Sequence, residues 1–267
     1  MSKELFKRGA AALAACAVAT LAASAAQAQD GWRPLFDGRS LDGWTVKIHG
    51  HEVGDNYRGT FSVADGAIRV SYGGYQTFDQ RFGHLFYNTP FKAYRLRLSY
   101  RLLGPSLPDA PTWAHSNSGV MFHSQSPQSI PKDQLWPVSL EFQFLGRMTA
   151  EDRPTGAVCT PGTTVAVAGV RTHQHCIAST GPTIPNGTWT EAELEVTPAG
   201  EVTHRINGQV VHRYTAPELD PADATTAKLI AERGGALALD GGYIALQSEG
   251  HPVEFRDIRI QEIPAGR

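Results

Sequence analysis

The sequence GGYIALQSEGHPVEFRDIRI, residues 241–260, decides the fold class. Apolar and polar residues alternate on both sides of a Gly-His-Pro break, which predicts two strands separated by a turn. Near the other end of the sequence, WRPLFDGRSLDGW at residues 32–44 has similar aromatic residues beside glycine-containing turns. We therefore expect the two ends of the folded chain to pair within one β-sandwich.

Period-two alternation recurs in short runs through the rest of the chain, as expected for half-buried strands. The runs are residues 60–63, 67–72, 94–103, 119–123, 138–145, 191–197, 202–206 and 243–247. Turn residues separate these runs, and Asn207-Gly208 is a strong two-residue hairpin signal. The pattern predicts an all-β domain.

One short helix is predicted near residues 221–233. Asp220-Pro221 supplies a capping side chain and a proline suited to a first helical turn, and a glycine pair at 234–235 ends the pattern. Leu229 and Ile230 are expected to cover the edge of a sheet.

Residues 1–28 have the features of a secretory signal peptide. Basic residues precede an Ala/Leu/Val-rich run that ends at Ala26-Gln27-Ala28, a small-x-small cleavage pattern. Residues 29–267 are then predicted as a single domain, exported to the periplasm or secreted. No later segment approaches the roughly 20 apolar residues that a membrane-spanning helix needs.

A competing interpretation of the leader makes the protein a lipoprotein. Leu13-Ala14-Ala15-Cys16 resembles a lipoprotein box, which would leave an acylated Cys16 as the new N-terminus. The apolar run continues past Cys16, where a polar spacer would be expected, and this favours ordinary cleavage. Loss of residues 1–28 leaves a net charge of about −4, which argues against a nucleic-acid partner.

Two cysteines follow the leader, Cys159 and Cys176. Export to an oxidising compartment favours a disulfide between them, which would contribute about 3 kcal/mol by loop closure. The alternative is metal ligation by His173, His175 and Cys176, since histidines two apart on a strand share a face. No CxxC or HExxH spacing accompanies them. A divalent metal is therefore an open possibility, and no cofactor is established.

Polar residues on three strand-like runs are candidates for a binding site. SLEFQFLG places Glu141 and Gln143 on one face and its Leu and Phe residues on the core face. By the same alternation, NSGVMFHS places Asn117 and His123 together, and Gln247 lies on one face of a third run. Any one of these residues is explained by a solvent-facing strand. Together they supply donors and acceptors that match sugar hydroxyls, as on the concave faces of jelly-roll proteins.

Further candidates lie near turns and strand ends. Arg81 and His84 in the QRFGH turn, and His175 in the HQH run, are positioned to overhang the sheet. Glu249 and His251 lie at a strand end, where an ion pair explains them as well as catalysis does.

Six segments, WRPLFDGRSLDGW, VADGAIRVSY, NSGVMFHS, SLEFQFLG, INGQVV and GGYIALQSEGHPVEFRDIRI, occur in the order found in one known family. By these segments the chain resembles the 3-keto-disaccharide hydrolase domain family over nearly its whole mature length. The resemblance implies a concanavalin-like jelly-roll sandwich, a carbohydrate or glycoside substrate, and chemistry outside the cytoplasm.

The resemblance also implies a reaction. A ketone at C3 of a glycoside acidifies the C2 proton, so that a base removes it, the C1 substituent leaves by elimination, and water adds back. Glu141 or His123 is the expected proton-transfer residue, with Gln143, Asn117 and Gln247 binding hydroxyls or the developing enolate. Arg81, His84 and His175 are second-tier candidates for substrate binding.

Three hypotheses about function stay open at this point. Laminarinase-type glucanases carry E-x-D-x-x-E on one strand, whereas the aligned positions here are Glu141, Gln143 and Gly146. This departure disfavours ordinary two-carboxylate hydrolysis and favours elimination followed by hydration. The alternatives are a non-catalytic carbohydrate-binding module and a structural protein of the cell envelope. The aromatics apt for sugar binding by such a module are Trp32, Trp44, Trp113 and Trp136.

Overall fold

Short antiparallel strands make up most of the fold, as the period-two pattern predicts. The computed structural model describes residues 31–264. Its strands are β1 (Arg33–Pro34), β2 (Trp44–Ile48), β3 (Phe61–Ala64), β4 (Ala67–Val70), β5 (Gly83–Tyr87), β6 (Tyr94–Leu102), β7 (Asn117–Ser124), β8 (Leu140–Leu145), β9 (Val158–Cys159), β10 (Thr163–Val167), β11 (Val170–Thr172), β12 (Cys176–Ile177), β13 (Thr190–Val196), β14 (Val202–Ile206), β15 (Gln209–Leu219), β16 (Tyr243–Ser248) and β17 (Val253–Glu262).

Two sheets are formed by these strands. The larger has the strand order β11-β10-β15-β14-β13-β6-β17-β4-β3, and the smaller has the order β12-β9-β8-β7-β16-β5-β2. Neighbouring strands in both orders are antiparallel. The predicted all-β sandwich is confirmed.

The core lies between the two sheets. Leu140, Phe142 and Phe144 of β8 all belong to it, as their alternation with Glu141 and Gln143 predicts. Phe144 stacks on Tyr100 of the larger sheet, with ring centroids 4.0 Å apart. Aromatic contacts of this kind join the sheets because each ring buries a large apolar area.

Two local expectations about chain pairing are confirmed. The N–H of Leu35 donates to the carbonyl of Ile258 at 2.9 Å, so the start of the described chain lies beside β17. Asn207 and Gly208 join β14 to β15 with φ values of 48° and 78°, the positive values that a type I′ hairpin needs.

The predicted helix is confirmed but is shorter than residues 221–233. A 3₁₀ turn, Ala224–Thr226, leads into α1 (Ala227–Glu232). Asp223 accepts from the N–H of Thr225 at 2.8 Å, so Asp223 and not the predicted Asp220 caps this segment. Leu229 and Ile230 of α1 pack on a small apolar cluster of Val138, Leu219 and Leu239.

Strand β5 corrects the predicted turn at QRFGH. Gly83 and His84 begin this strand, and His84 is buried rather than overhanging the sheet. Alternation did not reveal the strand because His84, Leu85 and Phe86 are all buried, which removes the polar residues from the pattern.

The leader lies outside the described residues, so the predictions about it are not tested by the structure. The signal peptide at 1–28, its cleavage site and the lipoprotein alternative at Cys16 all fall there, so the single-domain bounds 29–267 stay a prediction. Within residues 31–264, the helices are all too short to cross a bilayer.

Candidate active site

A cavity of about 400 Å³ opens on the outer face of the smaller sheet. Strands β7 and β8 direct their apolar residues into the core and their alternate residues to this face. The cavity is lined by Trp113, Asn117, Trp136, Glu141, Gln143, Cys159, Pro161, His175, Cys176 and Glu249. Of the residues predicted from the sequence, Glu141, Gln143, Asn117 and His175 therefore meet in one place.

Two carboxyl groups lie in the wall of this cavity with almost no exposure to solvent. Glu141 on β8 is 6% exposed, and Glu249, which follows β16, is 3% exposed. Glu249 Oε1 accepts from the Gln247 amide at 2.9 Å and from the Trp136 indole at 3.2 Å. Glu141 Oε1 and Glu249 Oε2 have no hydrogen-bond partner among the described residues. Unpaired buried oxygens of this kind are costly, and they are available to a ligand.

Burial changes the proton affinity of both carboxyls. It raises the pKa of Glu141 well above its usual range, the nearby Glu249 carboxyl raises it further, and the Gln247 amide opposes both effects. Burial raises the pKa of Glu249 to about 7, against smaller opposing effects from Trp136 and Arg153. Near neutral pH the pair therefore holds at least one proton on Glu141, while Glu249 is the carboxyl that ionises first. Such a pair offers one acid and one base in one cavity.

Gln247 is fixed from both sides. Its backbone carbonyl accepts from the Ser118 hydroxyl at 2.9 Å, and its side chain donates to Glu249. The side-chain Oε1 of Gln247 has no partner within residues 31–264. Gln247 thus orients a carboxylate while keeping an acceptor of its own.

His84 lies one strand from Gln247 but outside the lining of the cavity. The two residues are opposite each other in the β5 and β16 register, and Lys47 is opposite His84 on the other side. Burial, reinforced by Lys47, lowers the pKa of His84 to about 3, so its imidazole is neutral near pH 7. Its Nε2 has no hydrogen-bond partner in the part of the chain that the structure describes.

The disulfide forms one side of the cavity. Cys159 and Cys176 are bonded, as predicted, and are opposite each other in the β9 and β12 register. Cys159 is also directly opposite Glu141 on the next strand. The bonded sulfur of Cys176 cannot act as a thiolate, which overturns the alternative of metal ligation by this cysteine with His173 and His175.

His123, a predicted proton-transfer residue, lies elsewhere. The register between β16 and β7 shifts between Tyr243 and Ala245, and His123 has a φ of 48°. This irregularity interrupts the alternation that had placed His123 on one face with Asn117. His123 instead lines a separate cavity of about 680 Å³, together with Asp240.

Arg81 is also separated from the carboxyl pair. It forms an ion pair with Asp79 at 3.0 Å, and its guanidinium lies 4.8 Å from the ring centre of Tyr57. These contacts explain Arg81 by local packing.

Glu249 and His251 do not form the ion pair considered from the sequence. His251 Nδ1 shares a hydrogen bond with the Ser106 hydroxyl at 2.8 Å, whereas Glu249 bonds to Gln247 and Trp136. Sequence reasoning therefore gave Glu249 too little weight. The usable signal was the alternation that sets Gln247 and Glu249 on one face.

No set of three or more His, Cys, Asp or Glu side chains within residues 31–264 is arranged to hold a metal ion. His173, one of the histidines considered, instead contacts Asp220 at 3.1 Å.

A family model for the 3-keto-alpha-glucoside-1,2-lyase-like domain matches residues 31–261. The chain belongs to this family. Membership supports a carbohydrate-active function and confirms the predicted resemblance.

Solved structures place this 3-keto-alpha-glucoside-1,2-lyase-like domain among jelly-roll and galectin-like folds. One, from Parabacteroides distasonis ATCC 8503 and provisionally named a glycosyl hydrolase, has a TM-score of 0.54 at 15% identity, covering 89% of this chain and 96% of its own. A galectin-like protein of unknown function from Bacillus subtilis has a TM-score of 0.52 at 13% identity, covering 86% and 94%. The Crh5 transglycosylase in complex with NAG has a TM-score of 0.51 at 9% identity, covering 88% of this chain and 85% of its own. The comparison with curated proteins found no match.

Proposed function

We propose that this protein cleaves 3-keto-glycosides by proton abstraction at C2, elimination at C1 and hydration of the product. The observation that carries the proposal is the buried pair of Glu141 and Glu249 in one cavity, each with an oxygen that has no partner among residues 31–264. The pair differs in pKa, which suits one residue to the acid role and the other to the base role.

Elimination uses the two carboxyls in sequence. Ionised Glu249 takes the C2 proton, and the electron pair of the C2–H bond moves onto the C3 carbonyl oxygen as an enolate. The enolate then returns its electrons, the C1–O bond breaks, and a C1–C2 double bond forms. The leaving oxygen takes its proton from Glu141, which is neutral near pH 7 because burial raises its pKa.

Hydration of the double bond restores the starting protonation state of both carboxyls. Water adds to C1 while Glu141, now ionised, removes its proton. The electrons of the double bond pass to the C3 oxygen and return to C2, which takes the proton held by Glu249. Each carboxyl ends in its starting protonation state, so no further acid or base is consumed.

Three polar side chains around the pair suit substrate binding. Asn117 and Gln143 line the cavity, and Gln247 lies beside Glu249. Amide groups both donate and accept, so they match sugar hydroxyls and a developing enolate oxygen. His175, on the rim, is a further substrate-binding candidate. The proton transfers use only the two carboxyls, and EDTA tests whether a divalent metal also takes part.

The first test compares a 3-keto-glycoside with its unoxidised parent. Release of the aglycone is followed for both compounds, with and without EDTA. Cleavage of the keto compound alone supports elimination, since only the ketone acidifies C2. Equal cleavage of the parent contradicts the proposal and indicates ordinary hydrolysis. Loss of activity in EDTA would add a metal to the reaction.

A carbohydrate-binding module is the second candidate, because Trp113 lines the cavity and is 51% exposed. Such a module would bind sugar and cleave neither compound. It would also tolerate Glu141→Gln, whereas an enzyme loses turnover.

We propose that the protein acts in the periplasm or after secretion. The sequence of the leader and the Cys159–Cys176 disulfide support this location. Mass spectrometry of the natively exported protein tests it. A mature N-terminus following Ala28 is expected, and a lipid-modified Cys16 would instead indicate a tethered lipoprotein.

A further inference from the structure

An exposed tryptophan at the rim of the cavity has no role in the reaction proposed above. Trp113 is 51% exposed, although its neighbour Phe82 is 2% exposed. The two rings are stacked with centroids 5.7 Å apart and planes 10° from parallel. Trp136, which donates to Glu249, lies 6.0 Å from Trp113 between ring centroids. Phe82 thus supports one side of Trp113, and the uncovered area faces solvent and the cavity.

The chemistry around Trp113 matches a pyranose ring. A sugar ring has a flat face of C–H groups and an edge of hydroxyl groups. The indole offers a flat apolar surface, and the unpaired oxygens of Glu141 and Glu249 offer acceptors for hydroxyls. Tryptophan is suited to this role because it supplies a large contact area at small cost in side-chain entropy.

Arg153 binds the backbone of the segment that carries Trp113. The guanidinium donates from Nη2 to the Trp113 carbonyl at 3.1 Å, and from Nη1 to the carbonyls of His115 at 2.7 Å and Ser116 at 2.9 Å. Nη1 also donates, at 3.1 Å, to the carbonyl of Gly146, the residue that follows β8. One side chain therefore joins the segment that carries Trp113 to the strand that carries a catalytic candidate.

Only arginine supplies this set of contacts. Its five N–H donors have a fixed planar arrangement, whereas lysine offers a single ammonium group. Ser116 has a φ of 46°, an unfavourable backbone conformation for serine, so this segment needs outside contacts to hold its shape.

We propose that Trp113 is the surface on which the sugar ring of the substrate stacks, and that Arg153 is the positioning residue that holds Trp113 at the cavity. The identity of the ring as a 3-keto-glycoside rests on the proposed function, but stacking is measurable without turnover.

Binding tests the role of Trp113. Methyl α-glucoside oxidised at C3, and its unoxidised parent, are titrated by calorimetry into Glu141→Gln protein, whose turnover is expected to be about 10²–10⁴-fold slower. Adding Trp113→Ala should weaken binding at least about tenfold, and Trp113→Phe should retain most of it. Trp189→Phe is the matched control, because Trp189 lies against Arg101 and Arg256 and does not line the cavity. Binding that stays within about twofold in Trp113→Ala would overturn the proposal.

Kinetics test the role of Arg153. Loss of the carbonyl contacts should raise KM about tenfold or more in both Arg153→Met and Arg153→Lys. The charge has a separate effect, since Arg153 lowers the pKa of Glu249. The acidic side of the pH–rate profile should therefore move to higher pH in Arg153→Met and stay in place in Arg153→Lys. Folded variants with unchanged KM would contradict the positioning role.

The two proposals fail in different ways. Sugar binding that depends on Trp113, without cleavage of the keto compound, would leave the stacking role standing and remove the reaction. Cleavage of the keto compound with no dependence on Trp113 would support the reaction and remove the stacking role. If Arg153→Met does not fold, the lysine variant and the Trp113 titrations still decide.

Discussion

Gly119 leaves the space that the side chain of Glu141 occupies. A Cβ atom at Gly119 would lie 2.6 Å from Oε1 and 2.9 Å from Cγ of Glu141, well inside contact distance. The carbonyl of Phe142 would be 3.0 Å away, so backbone also limits any adjustment. The absence of a side chain at Gly119 of β7 thus leaves the space in which the carboxyl of Glu141 on β8 lies.

Gly119→Ala is expected to displace the Glu141 carboxyl and lower kcat. Overpacking at this buried position should also reduce the free energy of unfolding by about 1–3 kcal/mol. Gly73→Ala is the matched control, since the nearest atom to its added Cβ is 3.7 Å away. Steady-state kinetics and urea unfolding of both variants check this, and an unchanged kcat in Gly119→Ala would contradict it.

Removing either carboxyl should abolish most turnover without weakening the fold. Glu141→Gln and Glu249→Gln are expected to lower kcat by about 10²–10⁴-fold, the usual contribution of a general acid or base. Both variants should be as stable as the wild type or more stable at pH 8, because a buried carboxyl with a raised pKa is costly to ionise. Glu193→Gln is the control, since Glu193 pairs with Arg97 on the larger sheet. Wild-type rates in both cavity variants would exclude the proposed chemistry.

The pH–rate profile should identify the base. Activity needs ionised Glu249, whose pKa is raised to about 7, so kcat/KM should increase as pH rises through about 7. It should fall again at higher pH, where Glu141 loses its proton. Burial lowers the pKa of His123 to about 4, so a His123 base would instead give a rise near pH 4. Profiles of the wild type and of His123→Asn distinguish the two.

Buried histidines should make the fold sensitive to acid. Burial lowers the pKa of both His84 and His204 to about 3, against about 6.5 in the unfolded chain. The contribution of these neutral histidines to the free energy of unfolding is fully present above pH 6.5 and is lost as pH falls towards 3. Each histidine should cost about 2 kcal/mol at pH 5. Glu249 acts in the opposite direction between about pH 7 and 4.5, and Glu141 acts in that direction too. Both carboxyls have a raised pKa, and together they offset part of the loss.

Urea unfolding at pH 7.5 and at pH 5 measures this dependence. The midpoint should be lower at pH 5, and His84→Gln should reduce the difference because it removes one of the histidines whose pKa burial lowers. A midpoint that rises on acidification would show that the carboxyls outweigh the histidines.

The disulfide should stabilise both the fold and the cavity. Cys159 and Cys176 are 17 residues apart, and closing a loop of that length contributes about 3 kcal/mol. Reduction should lower Tm, and it should raise KM because both cysteines line the cavity. The double variant Cys159→Ala, Cys176→Ala should behave like the reduced protein and should not respond to reductant. Equal Tm values with and without reductant in the wild type would contradict this prediction.

Alternation within single strands carried most of what the sequence revealed. It predicted the core face of β8 and the outward direction of Glu141 and Gln143, because side chains of a strand point to opposite faces whatever the strand packs against. The hairpin at Asn207-Gly208 was equally predictable, because the two turn residues alone signal it. The disulfide was also predictable, since the cysteine count is a property of the sequence itself, whereas export stays a prediction from the leader.

The same rule failed wherever partners from distant parts of the chain intervene. The register shift between β16 and β7 separates His123 from Asn117, and no residue within NSGVMFHS signals it. His84 appeared to lie in a turn because its strand is buried on both faces.

The sequence by itself determined an all-β chain with polar residues on one face of a sheet, and it predicts export. Only the tertiary structure brought Glu249 and Glu141 together in the wall of one cavity. Glu249 bonds to Trp136, 113 residues away in the chain, and both carboxyls acquire their raised pKa from burial by surrounding strands. The face to which a strand side chain points is set by its position in the local alternation. The proton affinity of a carboxyl is set by all the residues that exclude water from it, and these come from distant parts of the chain.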